Sequence, residues 1–153
     1  ITKLYRFAPH VQSSELKSAL IQYLESLGHT VTDHGPHEYD ALDDYPDFCI
    51  PAAIATVKDA GSLGIVLGGS GNGEQIAANK VKGVRAALAW SVETAKLAKE
   101  HNNANVVGIG GRMHSIDECK AIIDAFIETP FTNDERHVRR INKISTYENT
   151  SNQ

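Results

Sequence analysis

The sequence predicts an α/β/α sandwich built around a parallel β-sheet. Short apolar segments alternate five times with longer segments whose apolar residues fall at spacings of three and four. The links between them are short, as right-handed crossovers between neighbouring parallel strands require. The size agrees: 153 residues, 41% hydrophobic and 22% charged, make one ordinary globular domain, and the chain shows no internal repeat and no linker.

Leu4 to Ala8 opens the chain as a short strand. Ser13 and Ser14 offer caps for a helix in which Leu16, Leu20, Tyr23, Leu24 and Leu27 form one stripe, and Gly28 supplies a left-handed end. His29 to Asp33 is the second strand. Gly35 to Asp47 reads as a polar loop with two prolines and a run of solvated acids, long enough to be functional or to reach a neighbouring subunit. Phe48 to Val57 is helical, with Ile50, Ala53, Ile54 and Val57 on one face. Leu63 to Leu67 forms the third strand and runs into Gly68-Gly69-Ser70-Gly71-Asn72-Gly73, after which Glu74 to Lys80 suits a helix.

Val84 to Trp90 is apolar throughout, as a strand covered on both faces is, and Ser91 caps a helix from Val92 to His101. Asn102 and Asn103 turn the chain into a fifth strand, Asn105 to Ile109, which ends at Gly110-Gly111-Arg112. Ser115-Ile116-Asp117-Glu118 is a capping box for a helix through Ile127, broken at Thr129-Pro130. Thr132-Asn133-Asp134-Glu135 offers a second box for a last helix over about 133–148, with Val138, Ile141, Ile144 and Tyr147 as its apolar stripe. The tail from Asn149 is expected to fray.

Composition removes several function classes. A formal net charge of −4 gives no global basic field, so nucleic acid is a poor partner. No segment approaches the roughly 18 apolar residues of a membrane span, and the N-terminus has no basic-then-apolar secretory pattern. Cys49 and Cys119 are isolated in apolar helical patterns, which fits reduced core residues of a cytosolic protein.

In open parallel sheets ligands bind beyond the carboxyl ends of the strands. That edge collects Ala8-Pro9-His10, the Gly68–Gly73 loop and Gly110-Gly111-Arg112. A phosphate-binding Walker loop needs Lys-Ser or Lys-Thr where Glu74-Gln75 stands, and a dinucleotide fingerprint normally follows the first strand. What remains is an oxyanion cradle with Glu74 at its rim, beside the plainer reading that Glu74 only complements the helix dipole. His101 stands at a helix end that favours its protonated form, although an ordinary C-terminal histidine would stand there too. Arg136 and Arg140, four apart, share a helix face that is either solvated or anion-binding. Arg112 has the planar fork that suits phosphate. His34, His37, His114 and His137 have no ligand spacing, so no metal site is expected.

Taken together, Asp43-Asp44-Tyr45-Pro46-Asp47-Phe48, Gly68-Gly69-Ser70-Gly71-Asn72-Gly73-Glu74, Ala77 with Asn79-Lys80, Val84-Arg85-Ala86-Ala87, His101-Asn102-Asn103-Ala104-Asn105 and Gly108-Ile109-Gly110-Gly111-Arg112 resemble type B ribose-5-phosphate isomerases over almost the whole chain. The resemblance implies a Rossmann-like α/β/α sandwich with five parallel strands in the order 2-1-3-5-4. It also implies a homodimer whose two active sites each take residues from both chains, with assembly into tetramers left open. The implied chemistry interconverts a phosphorylated aldose and ketose through a cis-enediolate, without a cofactor. Many relatives carry a cysteine in the glycine loop where this chain has Ser70, so the resemblance makes Glu74 the base. Gly69, Gly71, Asn72 and Gly73 would form the anion hole, helped by the Ser70 hydroxyl. His101, from the partner chain, would handle ring and hydroxyl protons, Asn102 would bind a substrate oxygen, and His10, Arg112, Arg136 and Arg140 would hold the phosphate.

One position departs from the family. The first strand is usually followed by Gly-Ala-Asp-His-Ala-Gly, and here Phe7-Ala8-Pro9-His10-Val11-Gln12 stands instead. Pro9 has no group to assist ring opening, and it fixes the local backbone. Two other functions follow from this loss. One is isomerisation of another aldose phosphate such as a tetrose 4-phosphate, which cannot close a furanose ring. The other is a sugar-phosphate-binding protein without turnover.

Overall fold

Five strands, β1 (Leu4–Pro9), β2 (Thr30–Asp33), β3 (Leu63–Gly68), β4 (Ala86–Leu88) and β5 (Val106–Gly110), pair in parallel in the order β2-β1-β3-β5-β4. Between and after them run α1 (Ser14–Ser26), α2 (Pro46–Lys58), α3 (Asn72–Ala78), α4 (Val92–Asn102), α5 (Ile116–Glu128) and α6 (Glu135–Thr150). The computed structural model describes residues 4–9, 14–38 and 40–150.

Side chains alternate across a strand, so β3, buried at every position, feeds two cores. Ile65 and Leu67 join Leu20 and Leu24 of α1, Ala95 and Ala98 of α4, and Ile123 and Phe126 of α5. Val66 turns the other way, to Cys49, Ala52 and Ala53 of α2 and Ala77 and Ala78 of α3. Three layers result, with β3 at the centre of the sheet and its carboxyl end opening between them.

Five expectations need correcting. The strand expected over Val84 to Trp90 shrinks to Ala86–Leu88, because Ser91 is committed to capping α4 and Trp90 is 65% exposed. β4 is a sheet edge whose outer polar groups are met by α3: Ala86 N–H donates to Asn79 Oδ1 at 2.8 Å, and Asn79 Nδ2 donates to the Ala86 carbonyl at 2.9 Å. On α2, Cys49, Ala52, Ala53 and Thr56 are buried and the expected Ile50 and Val57 pack partly against the same core, but Ile54 turns outward, 37% exposed. Small side chains let this helix lie close to the sheet, and the Thr56 hydroxyl is satisfied by the Ala52 carbonyl at 2.8 Å.

The glycine loop enters its helix two residues early, at Asn72, because Gly71 adopts a left-handed φ of 83°. At α6 the expected box over Thr132 and Glu135 gives way to a tertiary tie: Thr132 Oγ1 donates to the Glu100 carbonyl at 2.9 Å, fastening the start of α6 to the end of α4. The helix then runs to Thr150, past the expected fraying point. Its apolar stripe finds little cover within the chain, for Ile144 is 52% and Tyr147 75% exposed. The expected box at Ser115 and Glu118 is present.

Candidate active site

β3 delivers Gly68 to the carboxyl edge of the sheet, where the next turn straps down the loop. Gly111 N–H donates to the Gly68 carbonyl at 2.6 Å, and Arg112 N–H to the Gly69 carbonyl at 3.1 Å. Gly71 then reverses the chain into α3; a Cβ there would meet the Ile109 carbonyl carbon at 2.9 Å. Ser70 is exposed, and its Oγ accepts from the Asn72 amide at 3.3 Å and from Asn72 Nδ2 at 3.2 Å. The amides of Ser70, Gly71 and Gly73 make no hydrogen bond among the described residues. A loop of this kind favours an anionic oxygen.

Glu74 lies in the first turn of α3, 5% exposed, with its carboxylate folded back onto Gly68. Any Cβ on Gly68 would occupy the space of that carboxylate. Beside it an open cavity of about 440 Å³ is lined by Tyr45, Gly69, Ser70, Gly73, Glu74, Arg112 and Met113. The Arg112 guanidinium covers Gly69, where a Cβ would meet Cζ at 2.7 Å, and the Tyr45 phenol covers Gly73, where a Cβ would meet the hydroxyl oxygen at 2.6 Å. Cys49 is fully buried behind the cradle, and its thiol is pushed up to about 12, by burial first and by the Glu74 charge second. It therefore stays a thiol and offers no nucleophile.

A second cluster forms where α4 ends and α6 begins. Asn103 closes α4 with a left-handed φ of 43°, and Arg85 clamps the turn: Nε donates to the Asn102 carbonyl at 2.8 Å and Nη2 to the Asn103 carbonyl at 2.9 Å. His101, in the last turn of α4, stacks on His137 of α6 with ring centroids 4.4 Å apart and planes 18° from parallel. His137 is the one buried residue of α6. Its pKa is lowered from the ordinary 6.5, chiefly by burial, then by His101 and Arg136; Asp134 acts in the opposite sense. Arg136 and Arg140 lie exposed on the same helix.

The expected site residues thus fall into two groups. Glu74, Ser70, Gly69, Gly71, Asn72, Gly73 and Arg112 gather at the carboxyl edge of the sheet. His101, Asn102, Arg136 and Arg140 gather at the amino edge, around the turn that leads into β5. None of the second group lines the cavity. The six residues of β3 alone span about 20 Å, so the groups of one chain are held apart. His10 lies outside the described residues. Pro9 ends β1 opposite Leu67, next to the cradle. Sequence reasoning gave no role to Tyr45 or Met113 and set His137 aside for lack of ligand spacing. Only Tyr45, followed by a helix-starting proline, left a local signal. Among the described residues, no group of three or more His, Cys, Asp or Glu is placed to hold a metal.

Comparison with known proteins bears on this site. Residues 9–144 match the family model described as Ribose/Galactose Isomerase. Ribose-5-phosphate isomerase B of Mycobacterium tuberculosis is 60% identical over 148 residues, 97% of this chain and 91% of that protein. The galactose-6-phosphate isomerase subunit LacB of Clostridium acetobutylicum is 43% identical over 117 residues, 76% of this chain and 67% of that protein. Among solved structures, ribose-5-phosphate isomerase B from Mycoplasma genitalium with bound ribulose-5-phosphate superposes with a TM-score of 0.91 at 38% identity, covering 99% of this chain and 100% of that one. The type B enzyme from Trypanosoma cruzi gives a TM-score of 0.91 at 36% identity over 98% of this chain and 99% of that one.

Proposed function

This chain belongs to the ribose/galactose isomerase family, and from that premise we propose that it interconverts ribose 5-phosphate and ribulose 5-phosphate through a cis-enediolate. It is an aldose-ketose isomerase, an intramolecular oxidoreductase. We treat residues 1–153 as one sugar-phosphate isomerase domain acting in the cytoplasm, without a cofactor. Among the described residues no helix is long and apolar enough to cross a membrane.

The reading rests on one observation above the others: the Glu74 carboxylate is packed against Gly68 on the wall of a cavity that Arg112 also lines. Glu74 takes the proton from C2 of the open-chain aldose, the C2–H electrons form the C1–C2 double bond, and the C1 carbonyl oxygen becomes the enediolate oxygen. Glu74 then returns the proton to C1, the C1–C2 double-bond electrons forming the new C–H bond, while the C2 hydroxyl gives up its proton to become the ketose carbonyl and the C1 oxygen takes up that proton to become a hydroxyl. The negative oxygen lies against the amides of Gly69, Gly71, Asn72 and Gly73 and the Ser70 hydroxyl. Preorganised donors of this kind are each worth roughly 3–4 kcal/mol in other enzymes. His101 of the partner subunit serves the ring and hydroxyl protons, Asn102 binds a substrate oxygen, and His10, Arg112, Arg136 and Arg140 hold the phosphate. The distance between the two clusters within a chain supports a homodimer with shared sites.

Pro9 favours a second reading, in which the substrate is an aldose phosphate that needs no ring opening, such as a tetrose 4-phosphate. Turnover of ribose 5-phosphate and erythrose 4-phosphate, measured side by side in the wild type and in Glu74→Gln, tests both. Turnover of the pentose abolished by Glu74→Gln supports the first; turnover of the tetrose alone supports the second. Equal rates in wild type and variant sink the base assignment, and no turnover of either sugar favours a binding protein.

A further inference from the structure

Among the described residues four polar side chains are buried: Thr56, Ser62, Glu74 and His137. The two hydroxyls are satisfied by backbone carbonyls, at Ala52 for Thr56 and at Asp59 for Ser62, and Glu74 is the proposed base. His137 is the one to which the chemistry gives no role. Asp134, just before α6, has Oδ2 3.9 Å from Nε2, too far for a hydrogen bond. Its close partner is the flat face of His101.

We propose that His137 is a positioning residue, a plate that fixes the plane of the His101 imidazole and ties that ring to the helix carrying Arg136 and Arg140. The inference rests on the role given to His101 above. Three observations converge on it. First, His101 is the penultimate residue of α4, in a last turn where a half-buried side chain has several rotamers open to it. A ring stacked 4.4 Å from a second, nearly parallel ring can turn only within its own plane. Second, His137 is flanked in sequence by Arg136 and followed at helical spacing by Arg140, so one turn of α6 sets both the plate and the two cations. Phosphate and imidazole are then referenced to a single rigid element. Third, the surroundings suit a neutral plate. A proton on His137 would stand against His101, Arg136 and Arg140 with only Asp134 to offset them, and burial opposes the charge as well.

The test uses the intact protein and ribose 5-phosphate. His137→Leu keeps the buried volume without a flat ring, and His137→Phe restores the ring without nitrogens. His137→Leu should lower kcat about ten- to a hundredfold, the range expected when a reacting group is misplaced by an ångström or less, with a much smaller change in KM. His137→Phe should recover most of that loss. In a His101→Asn background, His137→Leu should have little further effect on kcat, because the ring it positions is gone. An unchanged kcat in His137→Leu overturns the proposal, and so does an equal loss in Leu and Phe, which would assign the work to the ring nitrogens. So does a full additional loss in the His101→Asn background, which would mark a purely structural role. If His101→Asn alone retains full turnover, it is the underlying reading of His101 that fails; if His101→Asn is impaired while His137→Leu is not, the positioning role alone fails.

Discussion

The cradle around Glu74 and the corner around His101 are built on opposite physical plans. The cradle is made of backbone: a fully buried central strand runs into a loop whose shape depends on missing side chains, so Gly68, Gly69 and Gly73 leave room for a carboxylate, a guanidinium and a phenol. The corner is made of side chains on two helix ends, held by the Arg85 clamp and the His101–His137 stack and open to solvent along α6. Among the described residues, the cavity of the cradle is lined by Glu74 with no histidine beside it. The corner carries a histidine, His101, that lies outside that cavity. Each half has what the other lacks, which is the physical case for sites shared between two copies.

The most direct way to break this comparison is to divide the halves between chains. Glu74→Gln and His101→Asn should each reduce turnover by roughly 10²- to 10⁴-fold, the range for a general acid-base group. If sites are shared, refolding the two variants together in equal amounts should restore about a quarter of wild-type activity, since half of the dimers are mixed and each carries one intact site. No restoration would put both residues in the site of one chain. The next effect concerns the cradle alone. Gly68→Ala places a methyl group where the Glu74 carboxylate lies, and displacing the base should lower kcat by about a hundredfold. An alanine variant with wild-type kcat would show that the base does not depend on that contact.

A smaller effect belongs to the corner. Losing one charge-assisted hydrogen bond to phosphate costs about 1.5–3 kcal/mol, so Arg136→Ala and Arg140→Ala should each raise KM at least tenfold. An unchanged KM in both would remove the phosphate from that helix.

The two regions also differ in how far the sequence discloses them. The cradle is local, with strand, glycines and Glu74 contiguous from Leu63 to Ala78, so period and turn chemistry suffice to find it. The corner joins residues far apart in the chain, His101 with His137 and Arg85 with Asn102; the resemblance brings His101, Asn102, Arg136 and Arg140 to one site but gives no role to His137 or Arg85. The same limit explains the errors in the elements. On α2 the expected Ile50, Ala53 and Val57 do face the core, and the period misses only that the small Cys49, Ala52 and Thr56 are buried as well while Ile54 turns outward. β4 was drawn too long because apolar composition cannot distinguish an edge strand from an exposed Trp90. The second capping box failed because Thr132 found a tertiary partner in Glu100.

The smallest expected effect separates the regions by pH. Burial lowers the His137 pKa below its ordinary 6.5, so the folded ring resists a proton that the unfolded chain accepts. As pH falls through 6.5 the unfolded state takes up that proton first. Stability is therefore lost below about 6.5 and the loss is complete once pH is below the folded value. On the cradle side Cys49, pushed up to about 12, remains protonated across the same range and contributes nothing. Thermal unfolding followed from pH 7.5 to pH 5 should show the wild-type Tm falling relative to His137→Phe as the solution becomes more acid, while the gap between wild type and Cys49→Ala stays constant. A His137→Phe gap independent of pH would mean that the plate is protonated alike in the folded and unfolded chain, and the corner would then be no more sensitive to acid than the cradle.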